Sequence, residues 1–534
     1  CLISLYSISF MYWDKESKSY TKTSRIPVYT VIVFIITISA LVSTNQIHQV
    51  TSSLTPPNSD MRPAFVKTFS AGTVSIKNNW VTGTGPNSFS HLWDLVKPQN
   101  ISGTNYATTP FYLGSSTLIT WIVTSGIVGM LLWIGLLIMI VWMMVRLVTY
   151  AKLTIHERFL TLSVVSMASY LLVCSLLTIV GSVIIISLAL VIGLIIALHQ
   201  RYINHTETKF SFVTDPRSSF FAITTIIICT VIIVWSLIVV VRQYYALHVY
   251  QLGGRDIALG APDSGFAKIN TALRITGNDL FHREVSQLVL GELQKTLNTP
   301  SISKETIATQ VKDLGGNAIT HTEQAITYDP YNVKNWINQG DAYRFMAKLG
   351  ISGTYDKSIY AYHRAQQVSP HDITIDVSLA QLELAIGNTE QAKTLLAESI
   401  NKQPTRDAYI TRYQIAQIQK NMSLAETSLL AALQLDSTNP YLYYEYGIFS
   451  YRQGNYTRAA IAFNQTLVLD TSYAEAYFYL AVALEKSGNT EQAEQLITLL
   501  RKNNTDTDRI LNQIRTNAIS PSTELPVAET PKKQ

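Results

Sequence analysis

Residues 220–242 read FFAITTIIICTVIIVWSLIVVVR, and no charged side chain interrupts them before Arg242. A helix crosses the bilayer's hydrocarbon core with about 20 mostly apolar residues. This stretch is long enough, and Arg242 marks where the chain changes solvent. Upstream, four further apolar runs have spanning length: residues 26–43, 117–147, 160–180 and 182–199. Downstream, from residue 266, charges of both signs mix as in a soluble protein. The 534 residues are 47% hydrophobic and 14% charged, a balance too apolar for a soluble chain of this length. The expected architecture is all-α: a polytopic transmembrane bundle over 26–241, a linker over 242–265, and a helical domain over 266–515.

Several function classes drop out at this level. The net charge of +5 is spread without a basic stripe, so no nucleic-acid partner is expected. Cys1, Cys174 and Cys229 give neither a disulfide framework nor zinc-ligand spacing, and no metal or cofactor is expected. A transporter would show interrupted helices or charges at mid-membrane, and neither is visible. Residues 1–13 are apolar up to Asp14 but lack the basic start and small-residue cleavage site of a signal peptide, so they read as the tail of a truncated membrane helix. Residues 516–534, rich in Pro, Thr and Lys, read as a disordered tail.

The soluble half is periodic. Ser358, Ala392, Ala425, Ala459 and Ala493 are spaced 34, 33, 34 and 34 residues apart. Gly387-Asn388, Gly454-Asn455 and Gly488-Asn489 recur at one offset, with Lys420-Asn421 in the remaining unit. An aromatic precedes a small residue by four positions at Trp336/Gly340, Tyr443/Gly447 and Tyr477/Ala481, where two helices must approach closely. Tyr362, Leu396, Leu429, Phe463 and Ile497 then supply the filling. An insertion at residues 348–355 lengthens the first inter-helix turn. This pattern resembles the tetratricopeptide repeat (TPR), a two-helix unit of about 34 residues that stacks into a solenoid. The resemblance implies a concave groove that binds a protein or peptide, with Tyr441, Tyr444 and Tyr451 as candidate groove contacts. No nucleophile elbow, acid pair or His/Cys cluster appears in this half.

Basic residues set the expected orientation. Lys15, Lys18, Lys22 and Arg25 precede the first full helix; Arg146, Lys152 and Arg158 separate the second and third; Arg201, Lys209 and Arg217 separate the fourth and fifth. With five crossings all three clusters share the cytoplasmic side. The loop 44–116 and the repeats then face outward, which makes the chain an integral protein of a bacterial cytoplasmic membrane with an extracytoplasmic repeat domain.

The outer loop carries Gly83-Thr84-Gly85-Pro86-Asn87-Ser88-Phe89 after Trp80, then Tyr112-Leu113-Gly114-Ser115-Ser116 leading into a helix with Gly126-Ile127-Val128-Gly129. It lacks the strand-to-helix context of a nucleotide loop. The order of these elements over residues 62–147 resembles the O-antigen ligase and polymerase family of bacterial envelope proteins. There a Gly-x-Gly-Pro element precedes a helix that bears His, then Asn, Ser or Gln, and Gly-x-x-Gly. Ser116, Gly126 and Gly129 occupy matching positions, and Gly83 and Gly85 the glycine element. The resemblance implies glycan transfer from a polyprenyl diphosphate lipid without a metal, a His acting as general base, and cations holding the diphosphate. Ser115 stands where that His would be, and an unactivated hydroxyl cannot replace an imidazole. His91 is the candidate substitute base; Arg62, Lys67 and Lys97 are the candidate diphosphate ligands. The competing expectation is a non-catalytic membrane-anchored scaffold derived from that family.

Overall fold

The computed structural model describes residues 62–85, 87–97, 111–149, 153–204, 216–298, 303–503 and 506–516, and every regular element among them is helical. The expected segments over 1–13 and 26–43, and residues 517–534 of the tail, lie outside the described residues. The chain divides into two compact units, with the change near Ile227.

The first unit opens with α1 (Phe65–Asn78) and α2 (Phe89–Val96), two short amphipathic helices that precede the long apolar ones. It continues with α3 (Thr117–Thr124), α4 (Gly126–Thr149), α5 (Ile155–Leu177) and α6 (Ser182–His199), which runs into a π-helical turn over Gln200–Asn204. Among the described residues, four stretches are long and apolar enough to cross a membrane: Gly126–Thr149, Glu157–Leu177, Ser182–Ile203 and Ser219–Ala258. Their exteriors are covered in exposed Leu, Ile, Val and Trp, as lipid-facing helices require, while Ile140, Leu147, Leu171, Val191 and Ile195 pack between α4, α5 and α6. Thr154 and Glu157 form a capping box that starts α5.

Two sequence expectations change here. The single helix over 117–147 is two helices, divided at Ser125 and Gly126. Gly126 takes a φ of 66°, a left-handed conformation that a continuous helix does not contain. The stretch 242–265, expected as a linker, is helical: α7 runs Pro216–Ala258 and α8 follows over Pro262–Ile275. Gly253 and Gly265 let the two backbones meet, because a Cβ on either would strike the carbonyl of the other. Asp256 ties them by accepting from Ser264 Oγ and Lys268 Nζ, each at 2.5 Å. Arg242 Nη2 donates to the Ile275 carbonyl at 2.6 Å.

The second unit then stacks helices in pairs. The pairs are α9 (Asp279–Asn298) with α10 (Lys304–Tyr328), α11 (Val333–Lys348) with α12 (Thr354–Val368), α13 (Ile373–Ala385) with α14 (Thr389–Lys402), and α15 (Arg406–Ile418) with α16 (Met422–Leu435). They continue with α17 (Pro440–Arg452) and α18 (Tyr456–Leu469), α19 (Ala474–Lys486) and α20 (Thr490–Asn503), closed by α21 (Thr507–Arg515). The periodic column is the seam inside each pair: Ser358, Ala392, Ala425 and Ala459 have no exposed surface. Tyr362 packs onto Gly340 and Phe463 onto Gly447, positions where any Cβ would meet the ring. The first helices of the first four pairs, α9, α11, α13 and α15, also touch in succession, so they form one continuous wall.

Candidate functional site

In the first unit, the two glycine elements of the outer loop meet backbone to backbone. Gly83 (φ 65°) and Gly126 (φ 66°) face each other so closely that a Cβ on either would strike main-chain atoms of the other's turn. The amides that open a helix have no partner inside it. Here Ile127 N donates to Trp80 O at 2.9 Å and Val128 N to Val81 O at 3.2 Å. Gly85 N in turn donates to Thr124 O, the last carbonyl of α3, at 3.0 Å. Gly129 is needed for a different contact, since a Cβ there would meet the Ser125 side chain. Gly83, Gly85 and Gly126 form an interlock that fixes the turn 79–85 on the α3–α4 break.

Ser115 lies at the opposite end of α3 from that interlock, in the turn before the helix. Its amide donates to Thr68 Oγ1 at 2.9 Å, and Gly114 N donates to Thr120 Oγ1 at 2.9 Å. Ser116 caps α3 by accepting from Ile119 N. The Ser115 side chain is buried, and its Oγ has no hydrogen-bond partner among the described residues. Arg62 reaches the same turn but spends its guanidinium on main chain: Nη1 donates to Ser115 O at 3.3 Å and to Leu177 O at 3.1 Å.

The other expected ligands are placed differently. Lys97 is 2% exposed, and its Nζ lies 3.4 Å from Asp94 Oδ1. Lys67 is half-buried on α1. On α2, Phe89 turns inward against Gly114, and His91 follows about 200° further round the helix. Arg62 and Ser115 are therefore brought together through the backbone, while Lys97 is engaged with Asp94 and His91 projects from another face of α2 than Phe89.

In the second unit, the wall of first helices carries a cavity of about 380 Å³ whose lining includes Arg283, Asn338, Asp341, Arg344, Gln381 and Asp407. A neighbouring hollow of about 800 Å³ is floored by Leu290, Phe345, Leu384 and Ile418. A relay of polar groups crosses the repeats beneath them. Tyr362 Oη donates to Asp341 Oδ1 at 2.7 Å, and Arg344 Nη2 donates to the same oxygen at 2.9 Å. Arg344 Nη1 also donates to Gln381 Oε1, and Gln381 Nε2 donates to Thr411 Oγ1 at 3.0 Å. Burial and the Asp341 carboxylate push the Tyr362 hydroxyl well above its ordinary pKa; Asp341 and Tyr362 outweigh burial and raise that of Arg344. Arg344 therefore stays charged and Tyr362 keeps its proton across the physiological range. Asn338 is 3% exposed, and its Nδ2 has no partner among the described residues, a donor left in the cavity wall.

Of the tyrosines expected in a groove, Tyr444 and Tyr451 are core residues. With Ile448 they follow an i, i+4, i+7 stripe that turns into the stack. Tyr444 packs against Tyr473 at 4.9 Å and Phe463 at 5.8 Å; Tyr451 lies 5.3 Å from Tyr456. Tyr441 stays exposed. The sequence signal for the wall is a stripe on α11, Lys334-Asn338-Asp341-Phe345-Lys348, and Gln381 on α13 and Gln414 on α15 join the same wall 33 residues apart.

No curated protein matches the chain. Among solved structures it is similar to PilW, a type IV pilus biogenesis factor, at 15% identity over 41% of this chain and 97% of that one, with a TM-score of 0.31. It is similar to MamA at 17% identity over 36% and 98%, TM-score 0.26. A tetratricopeptide repeat protein from Parabacteroides merdae is similar at 14% identity over 45% and 98%, TM-score 0.28. Residues 450–512 match the family model of the tetratricopeptide repeat, and the stack of helix pairs to which they belong is a TPR domain.

Proposed function

We propose that the chain is a membrane-anchored scaffold that captures a peptide segment of a partner protein on its TPR domain, on the extracytoplasmic side of a bacterial cytoplasmic membrane. The observation that carries this reading is the wall of α9, α11, α13 and α15. It pairs the apolar floor of Leu290, Phe345, Leu384 and Ile418 with fixed donors at Arg344 and Gln381. A photo-crosslinking amino acid at position 345 in the full chain, expressed in intact cells, is expected to give a discrete protein adduct. The same residue at position 461, on the exposed face of α18, is expected to give none. Arg344→Ala should reduce the position-345 adduct by about tenfold, since a hydrogen bond to a charged group contributes about 1.5–3 kcal/mol. Equal labelling at both positions overturns the reading.

A second reading keeps the transferase body: an envelope polysaccharide ligase or polymerase-like protein that moves a glycan from a polyprenyl-diphosphate lipid. What favours it is the backbone meeting of the two glycine elements that carry the resemblance. What weighs against it is the chemistry at that point: a buried hydroxyl, and an arginine and a lysine already engaged. Lipid-linked glycan transfer by the unaltered chain, abolished by His91→Ala, would favour the transferase over the scaffold.

A further inference from the structure

The helix that carries the chain out of the membrane is also the first support of the repeats. In α7 the apolar run over residues 220–241 is roughly 33 Å long, enough for a hydrocarbon core of about 30 Å, so Arg242 stands at its edge. Exposed Tyr244 and Tyr245 follow. Tyrosine suits the headgroup level because its ring is apolar and its hydroxyl stays wet. The helix then continues to Ala258, roughly 24 Å further along its axis.

The elements packed on that extension can be placed by level above Arg242. Helix α8 is antiparallel to α7: Gly265 meets Gly253 towards the far end, while the Ile275 carbonyl accepts from Arg242 Nη2 at 2.6 Å. The turn 276–278 has therefore come back to the level of Arg242. Helix α9 rises from there, with Phe281 stacked on Tyr250 at 5.0 Å. Helix α10 descends beside it. His321 meets His282, and the Tyr328 hydroxyl fills the space that a Cβ on Gly277 would need. The α10–α11 turn over residues 329–332 thus returns to the level of Arg242 as well.

The two turns make a rim whose exposed side chains suit a bilayer interface. Arg274 is exposed in the last turn of α8, and Tyr328 and Tyr331 are 54% and 65% exposed. The acidic groups turn inward: Asp279 accepts from Arg283 Nη1 at 2.7 Å and Asn332 Nδ2 at 2.8 Å, and Asp329 accepts from the Tyr331 amide at 3.1 Å. Tyr331 is the residue before Asn332, the cap of α11. In the later pairs the same place holds His371, Pro404, Thr438 and Ser472. A large aromatic stands there in the pair nearest the membrane helix and in none of those four.

We propose that this rim rests on the bilayer surface, with Arg274, Tyr328 and Tyr331 at the headgroup level, so that the repeat domain stands on the membrane through a second contact besides α7. The proposal rests on the membrane insertion of α7 and is independent of peptide capture.

The test uses the full chain in nanodiscs of equal phosphatidylcholine and phosphatidylglycerol. A photo-crosslinking amino acid is placed at one position at a time, and adducts are read by mass spectrometry. Position 232, within the apolar run, should capture lipid, and so should positions 274 and 331 on the rim. Position 259, where Leu259 is 71% exposed at the far turn between α7 and α8, should capture none, and neither should position 472. Lipid at 232 without lipid at 274 and 331 overturns the rim contact and leaves the anchor standing; no lipid at 232 overturns both. Lipid at 259 to the same extent as at 331 overturns the upright arrangement. Tyr331→Ser should weaken the adduct at position 274 and Tyr331→Trp should preserve it. An adduct at 274 indifferent to Tyr331→Ser overturns the part given to that tyrosine.

Discussion

Lys420 adopts a φ of 56° at the turn between α15 and α16, where the equivalent turns hold Gly387, Gly454 and Gly488 at 89°, 75° and 88°. A side chain in the left-handed region costs roughly 1–2 kcal/mol, and glycine escapes it. Glycine also loses more entropy on folding, which offsets part of the gain. Lys420→Gly should therefore stabilise the repeat domain by about 1 kcal/mol, seen as a higher denaturant midpoint with an unchanged slope. A lower midpoint would mean that Lys420 makes a contact worth more than the strain. This position was legible from the sequence because the repeat supplies its own comparison: three units have Gly-Asn where one has Lys-Asn. Arg62 had no such comparison. Its donation to the Ser115 and Leu177 carbonyls leaves no trace in the side-chain pattern, so a cation in an outer loop read as a phosphate ligand.

Between elements, the imidazoles of His282 on α9 and His321 on α10 meet Nδ1 to Nδ1 at 2.8 Å, with Tyr328 stacked on His282 at 5.5 Å. Such a contact holds one proton, so one ring donates and the other accepts. Burial, then the neighbouring His321, lowers the His282 pKa to about 4 against the attraction of Asp279; burial lowers that of His321. Both rings are thus neutral in the fold at pH 7. As pH falls below about 6.5 the unfolded chain takes up protons that the folded pair refuses, so stability declines until His282 itself takes up a proton near pH 4. Hydrogen exchange of the α9 and α10 amides, corrected for its intrinsic pH dependence, should show protection falling between pH 7 and pH 5. His321→Gln should flatten that fall, and an unchanged pH dependence in the variant would remove the pair as its cause. Pairing of this kind is invisible in sequence, since the residues lie 39 positions apart in the least regular part of the stack. The division of α3 from α4 was hidden for a related reason. Residues 117–147 keep one unbroken apolar character through Ser125, and only the docking of Gly83 against Gly126 shows why the helix stops.

For the molecule as a whole, the two halves were legible because each is periodic or extreme in composition: apolar runs of spanning length, and a 34-residue step with an alanine seam. The ligand wall was not, because its stripe of Asn338, Asp341 and Gln381 is ordinary polar surface until the stack curves it into a cavity. The side of the membrane on which the repeats lie is a matter of counting crossings. Arg146, Arg158 and Arg201 gather at the end where α4 finishes, α5 begins and the π-helical turn follows α6. Basic residues in short loops are retained on the cytoplasmic side. If that end is cytoplasmic, α7 begins on the same side after Arg217 and carries the chain across once more, delivering α8 and the repeats outward. Protease added to intact cells whose outer barrier has been opened is then expected to remove the repeat domain and leave the membrane unit protected. Inverted vesicles should show the reverse, with the repeats resistant. The single apolar stretch of α7 is decisive here. Were it to lie along the membrane surface without crossing, the repeats would be digested in inverted vesicles and spared in cells. The scaffold's partner would then have to be sought in the cytoplasm.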